Sequence, residues 1–155
     1  MQNPQKIDSF GPLLVTVARR WRLELDYQLS EAGLSDATWG PLIHLSGATV
    51  HLTQKELAAA IGIDGSTLVR LLDSLEERQL VTRHNDQADR RTRRIVITPA
   101  GKLLVAKIRQ ALKRPEAQML EGVSAADVAA MVEGFERIQR NLLRLQAERN
   151  ATHAH

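Results

Sequence analysis

Phe10, Leu13, Leu14, Val17, Ala18, Trp21, Leu25 and Leu29 recur at spacings of three and four, which predicts one apolar face of a long helix stopped at Gly33. A second helix is predicted from about Ser35, with Trp39, Leu42, Ile43 and Leu45 apolar and Gly47 as its stop. Thr53 with Glu56 fits a capping box and opens a short helix through Leu57, Ala58 and Ile61, ended by Gly62. Asp64 and Ser66 offer caps for the next helix, whose apolar residues Leu68, Leu71, Leu72 and Leu75 carry it to about Arg78. At Leu80 the pattern changes. Residues 80–84 and 93–98 read as two strands rich in β-branched residues, joined by the polar loop 85–92 into a hairpin with a charged tip. Thr98-Pro99 reads as an N-cap followed by a first-turn proline. The helix it starts carries Leu103, Leu104, Ile108 and Leu112; Pro115 should kink or interrupt it, and Gly122 closes it. Ser124 with Asp127 marks one more helix start. Val128, Met131, Phe135, Ile138, Leu142 and Leu145 then form a heptad-like seam suited to a partner helix, and the tail 150–155 is predicted to fray. The fold class read from this pattern is mainly α with a small β-hairpin.

Composition narrows the classes. A chain of 155 residues suits one domain with a substantial core, and with aromatics at only 3% that core must rest on Leu, Ile, Val and Ala. There is no cysteine, so disulfides, thiolate metal sites and thiol redox sensing are excluded. No apolar run approaches the roughly 18 residues that argue for a membrane span, and residues 1–8 are polar, which makes a cytoplasmic location the default expectation. Nothing points to a metal, a cofactor or an enzyme. His44 and His51 stand seven apart, which does not fit a zinc-binding H-E-x-x-H helix, and neither a Gly-rich phosphate loop nor a nucleophile–base pair is present.

Charge changes the picture more than composition does. The net charge is +3, but ten Lys/Arg against two acids over residues 82–114 put +8 in that segment and leave −5 for the rest. Such a block suggests a surface that faces a polyanion; the alternative is a solvated helix face. The two helices joined by Gly62-Ile63-Asp64 match a helix-turn-helix, with Ala58, Ala59 and Ala60 small enough for close approach. Gly65, Ser66, Thr67 and Arg70 lie opposite the Leu face of the second helix. That polar face suits a DNA major groove, and the helix N-terminus favours phosphate. Ser66 and Thr67 also read as caps, and the two roles are compatible. Arg90, Arg91, Arg93 and Arg94 at the hairpin tip suit a narrow minor groove. Asp89 either pairs with Arg91 and aims it or makes an Asx-turn.

Leu52 to Ala58, Asp64 to Leu80, Asp89-Arg90-Arg91, and Ile95 to Gly101 resemble the MarR family. Arg20-Trp21-Arg22, Gly33-Leu34-Ser35 with Trp39, and Gly122-Val123-Ser124 resemble its SlyA-type branch, so the likeness spans nearly the whole chain. The resemblance implies a single chain with dimerisation helices over 8–31 and 100–150 around a winged helix-turn-helix over 35–99. It also implies a homodimer on a palindromic DNA operator, and control of transcription relieved by small anionic or aromatic effectors. Matched residue by residue, Ser66, Thr67 and Arg70 fall in the recognition helix and Asp89 and Arg91 in the wing; with Thr53, Gln54, Gly65, Arg90 and Arg93 they are the expected DNA contacts. Arg19, Trp21, Arg22, Trp39 and His44 are the candidate effector contacts; the two Trp, on apolar faces, read as core before they read as effector contacts. Rival readings are an activator that displaces a nucleoid protein and a winged helix used only for protein contacts. A steep loss of DNA affinity with salt separates the latter from a DNA binder.

Overall fold

The computed structural model describes residues 4–32, 34, 38–85 and 92–152, and the chain divides into two compact units, Met1–Glu116 and Ala117–His155. The first unit opens with helix α1 (Pro4–Glu31), then α2 (Trp39–Gly47), strand β1 (Leu52–Thr53), α3 (Gln54–Ile61) and α4 (Gly65–Glu77). Strands β2 (Val81–Asn85) and β3 (Arg93–Ile97) follow, and α5 (Pro99–Met119) runs across the boundary between the units. The second unit is essentially one helix, α6 (Ala125–Thr152). The fold is therefore mainly helical with a small antiparallel sheet, and among the described residues no helix is long and apolar enough to cross a membrane.

The helix-turn-helix follows from its punctuation. Thr53 is extended (φ −74°, ψ 161°), and its hydroxyl accepts from the Glu56 N–H while the Glu56 carboxylate accepts from the Thr53 N–H, the reciprocal capping box. Gly62 ends α3 at φ +71°, a left-handed conformation that a side chain would strain, and its N–H donates to the Ala58 carbonyl. Asp64 then caps α4 by accepting from the Thr67 N–H at 2.9 Å. Leu68, Leu72 and Leu75 on α4 are buried with Leu42, Leu45, Leu57, Leu80, Val81, Ile95 and Val105 in one cluster. Each such side chain contributes about 1.5–3 kcal/mol on burial, so this cluster dominates the stability of the first unit.

The sheet has three strands, not the two of a simple hairpin, in the order β1-β3-β2. Leu52 pairs with Ile95 and Thr53 with Arg94 on the side of β3 away from β2. A two-residue strand has no period to read, and Thr53 already had a role as a cap. The cap's extended backbone lets it close a strand as well. Other boundaries differ similarly. Helix α2 begins at Trp39, not near Ser35, and residues 35–37 lie outside the described set. Helix α5 continues through the buried Pro115 to Met119, so the proline does not interrupt it. The turn through Gly122 is closed by hydrogen bonds from Glu121 to Gln118 and from Val123 to Leu120. Ser124 caps α6 as anticipated, accepting from the Asp127 N–H, and α6 stays helical to Thr152, past the predicted start of fraying.

The start of α5 is pinned to the sheet. The Thr98 N–H donates to the Leu80 carbonyl, its hydroxyl donates to the Gln79 carbonyl, and the hydroxyl oxygen of Thr98 accepts from the Gly101 N–H. A Cβ on Gly101 would lie 2.2 Å from the Leu80 carbonyl oxygen and 2.7 Å from Ile97. Alanine gains about 1 kcal/mol of helix propensity, but here the backbone contact must open. Gly101→Ala should destabilise the first unit by about 1–3 kcal/mol, measured by urea unfolding.

The caps also set an acid limit. The Glu56 carboxyl is held below its ordinary value of 4.5, first by the Thr53 backbone N–H. Asp64 lies well below its ordinary 3.8, first by the Ser66 hydroxyl and then by Thr67. A carboxylate whose folded pKa is depressed contributes stability above its unfolded value and loses it as pH falls toward the folded one. The urea midpoint should therefore fall as pH drops below 4.5, and Asp64→Asn, which still caps but no longer titrates, should flatten the lower part of that fall.

Candidate nucleic-acid interface

Helix α4 is two-sided. Leu68, Leu72 and Leu75 are buried and Leu71 is half-buried, whereas Gly65, Ser66, Thr67 and Arg70 are exposed together on its first two turns. Hydrogen bonds restrict what this face can offer. Both hydroxyls donate to the Asp64 carboxylate, Ser66 to Oδ1 and Thr67 to Oδ2 at 2.6 Å. An ionised carboxylate can only accept, so both hydroxyl protons are committed and the oxygens present lone pairs outward. Such oxygens suit the amino groups of adenine or cytosine in a major groove. The same carboxylate occupies the helix N-terminus where the sequence left room for phosphate, so the anion at this end is internal. Ser66 is thus a partner of the cap, and Asp64 is the cap itself.

Thr53 and Gln54, half-buried, begin α3. Arg93 is exposed at the start of β3, opposite Asn85. Asp89, Arg90 and Arg91 lie outside the described residues. The other tip arginine, Arg94, turns back: its guanidinium donates to the His51 carbonyl at 2.7 Å, fastening β3 to the segment before β1. The basic block is therefore not uniformly outward-facing.

Arg83 departs furthest from its reading as a polyanion-facing charge. Its side chain is only 11% exposed and is held by Asp73 and Glu76 of α4. Strand alternation was the available signal, since Arg83 stands two residues from the buried Val81 and so on the same face of β2. The acidic pair at Asp73 and Glu76, one turn apart on α4, was the complementary signal.

Of the effector candidates, Arg22 and Trp39 are brought together. The guanidinium sits 4.1 Å from the Trp39 ring centroid, a cation–π contact. Asp26, which sequence reasoning missed, completes the group. It accepts from Arg22 Nε at 3.2 Å and from the Trp39 indole N–H at 2.9 Å. An acid four residues after an Arg on one helix was the signal for half of it. Trp39 is 8% exposed, so the ring belongs to the core while its polar edge is satisfied. Arg19 and His44 are exposed and Trp21 is half-buried. Among the described residues no hydrogen bond, ion pair or ring contact joins these three to the cluster.

A profile of the MarR family matches residues 32–92, which contain the whole helix-turn-helix. Among solved structures, transcriptional regulator PA3341 is 41% identical, with 87% of this chain and 98% of that chain covered at a TM-score of 0.75. CouR from Rhodococcus jostii RHA1, solved bound to p-coumaroyl-CoA, is 28% identical over 88% of this chain and 96% of its own, with a TM-score of 0.72. The transcriptional regulator SlyA is 20% identical over 86% and 93%, at a TM-score of 0.69, a likeness of fold. With a helix-turn-helix inside the matched span and a likeness to PA3341 that covers nearly all of that regulator, this chain belongs to the MarR family of transcriptional regulators.

Proposed function

We propose that the protein is a ligand-responsive repressor that binds a palindromic DNA operator as a homodimer. The observation that carries this reading is the two-sided α4, whose apolar face is buried and whose Gly65, Ser66, Thr67 and Arg70 stand exposed in a winged helix-turn-helix of regulatory family. In the proposed complex these residues enter the major groove, Thr53 and Gln54 approach the backbone, and Arg93 with Asp89, Arg90 and Arg91 reaches the flanking minor groove. Two such domains related by a two-fold axis read half-sites about one helical turn apart.

The apolar faces left exposed by the single chain support the dimer. On α1 these include Phe10, Leu13 and Val17; on α6, Met131, Phe135, Leu142 and Leu145 of the heptad-like seam. Exposed apolar surface on this scale marks an interface. The regions 8–31 and 100–150 are accordingly assigned to dimerisation and 35–99 to DNA binding. The effector reading draws on CouR, whose bound ligand carries an aromatic acyl group and phosphates. Arg22 and Trp39 are the best-placed pair for such a ligand here, and an incoming anion would compete with Asp26 for the guanidinium.

Fluorescence anisotropy with the DNA upstream of the protein's own gene, against a scrambled duplex at two salt concentrations, tests the reading. Tight, salt-sensitive binding to the first duplex alone is the expected result; absence of binding to any duplex at low salt overturns it. Arg70→Ala should cost about 1–3 kcal/mol on operator and less on random DNA, and equal losses would reduce Arg70 to a phosphate contact. Phe135→Lys should raise the dimer dissociation constant by roughly tenfold or more in sedimentation equilibrium, as loss of a buried aromatic anchor does.

A further inference from the structure

Where β2 leaves the leucine core, the last inward-facing side chain is Arg83. Val81, two residues earlier, is fully buried, and among the described residues on the tip side of Arg83 none is buried. Arg83 nevertheless turns inward, and the carboxylates of α4 receive it. Glu76 accepts from Arg83 Nε at 2.9 Å through one oxygen and from the Arg83 backbone N–H at 3.3 Å through the other. Asp73, one turn back on α4, accepts from Nη2. One carboxylate thus grips both strand and side chain, and the second holds the far end of the guanidinium. These bonds raise the Arg83 pKa, the Asp73 bond most, so the cation is permanent.

The placement rules out direct DNA contact by Arg83. It is nearly buried, and two carboxylates against one guanidinium leave the cluster with a charge of −1, which repels phosphate. What the cluster joins is the second helix of the helix-turn-helix to the root of the hairpin. On the opposite edge β3 is held at the same level, with Ile95 opposite Arg83 and Arg94 bonded to the His51 carbonyl. The hairpin is therefore fastened on both edges at one height, and its angle to α4 is set there. A strand rises about 3.3 Å per residue, so a swing of about 10° at Arg83 moves Asn85, two residues on, by about 1 Å. A recognition surface must be held to about 0.5 Å.

We propose that Arg83 is a positioning residue for DNA recognition, which through Asp73 and Glu76 fixes the angle between the hairpin and α4 so that both reach their grooves on one half-site. The proposal rests on the DNA-binding reading above. It names Asp73, Glu76 and Arg83 as a single device that acts on DNA without touching it.

Hydroxyl-radical footprinting of the full-length protein on its operator, beside sedimentation and thermal unfolding, tests it. Three variants are compared: Arg83→Met, Arg83→Lys, and Asp73→Asn combined with Glu76→Gln. In Arg83→Met, protection of the flanking minor grooves should disappear while major-groove protection at the half-site centres persists, with operator affinity down roughly tenfold and the dimer intact. Arg83→Lys should restore part of the flanking protection, because it keeps the charge and loses the planar fork. The double variant separates geometry from charge. It removes two negative charges, so scrambled DNA should bind more tightly, yet the flanking protection should still be lost. Intact flanking protection in Arg83→Met overturns the proposal. So does a uniform weakening of the footprint in proportion to lost folded dimer, which would make the cluster purely structural. A double variant that binds more tightly with its flanking protection intact would reduce the cluster to electrostatics and also overturns it. A wild-type protein that footprints no DNA fails the DNA-binding reading itself, and is distinguished by its failure before any substitution.

Discussion

Everything that the exposed face of α4 presents depends on the burial of Leu68, Leu72 and Leu75. These three side chains fix the roll of α4 about its own axis, because a helix that must bury one stripe cannot choose which residues occupy the other. The same cluster takes in Leu80, Val81 and Ile95, so one apolar contact seats both α4 and the hairpin root. The polar interactions then refine an orientation that the leucines impose. Asp64 shapes the leading end of α4, Arg83 ties β2 to its trailing half, and Thr98 fastens the start of α5 to the turn between α4 and β2. Removing a leucine would lose the arrangement; removing one of the polar ties would leave the arrangement and blur it.

The helices were legible because their start and stop signals are strong and local. Thr53 with Glu56, Gly62, Asp64, Thr98 before Pro99, and Ser124 with Asp127 all sit where the sequence places them. What escaped was what depends on a distant partner. Strand β1 exists only because Ile95 and Arg94 come alongside, and two residues carry no period. Asp26 gains its meaning from Trp39, thirteen residues on. The start of α2 at Trp39 has no side-chain cap to announce it, since the Thr38 hydroxyl accepts from Arg78, a residue forty positions away. The exposed face of α4 was readable from its period, but the direction of its hydroxyl protons was not, because that is decided by the single carboxylate of Asp64.

Charge was the least transferable inference. A segment sum of +8 treats every cation as facing outward. In the fold, Arg83 is neutralised and slightly over-compensated by α4, and Arg94 turns back to a backbone carbonyl. Arg70 and Arg93 remain exposed on the two elements assigned to DNA. A polyanion meets the potential of placed groups, so a count along the chain overstates the surface charge wherever arginines also serve as struts.

Thr53 closes β1 and caps α3 with the same extended backbone. Those two duties ask for different chemistry. Ser, Asp and Asn are good caps, but they sit poorly in a strand, whereas Val and Ile sit well in a strand and cannot cap. Threonine is the residue that satisfies both, with its methyl group suited to the pleat and its hydroxyl to the helix end. A position that the sheet and the helix-turn-helix each constrain through one side chain has almost no neutral substitutes, and drift in either element is checked by the other.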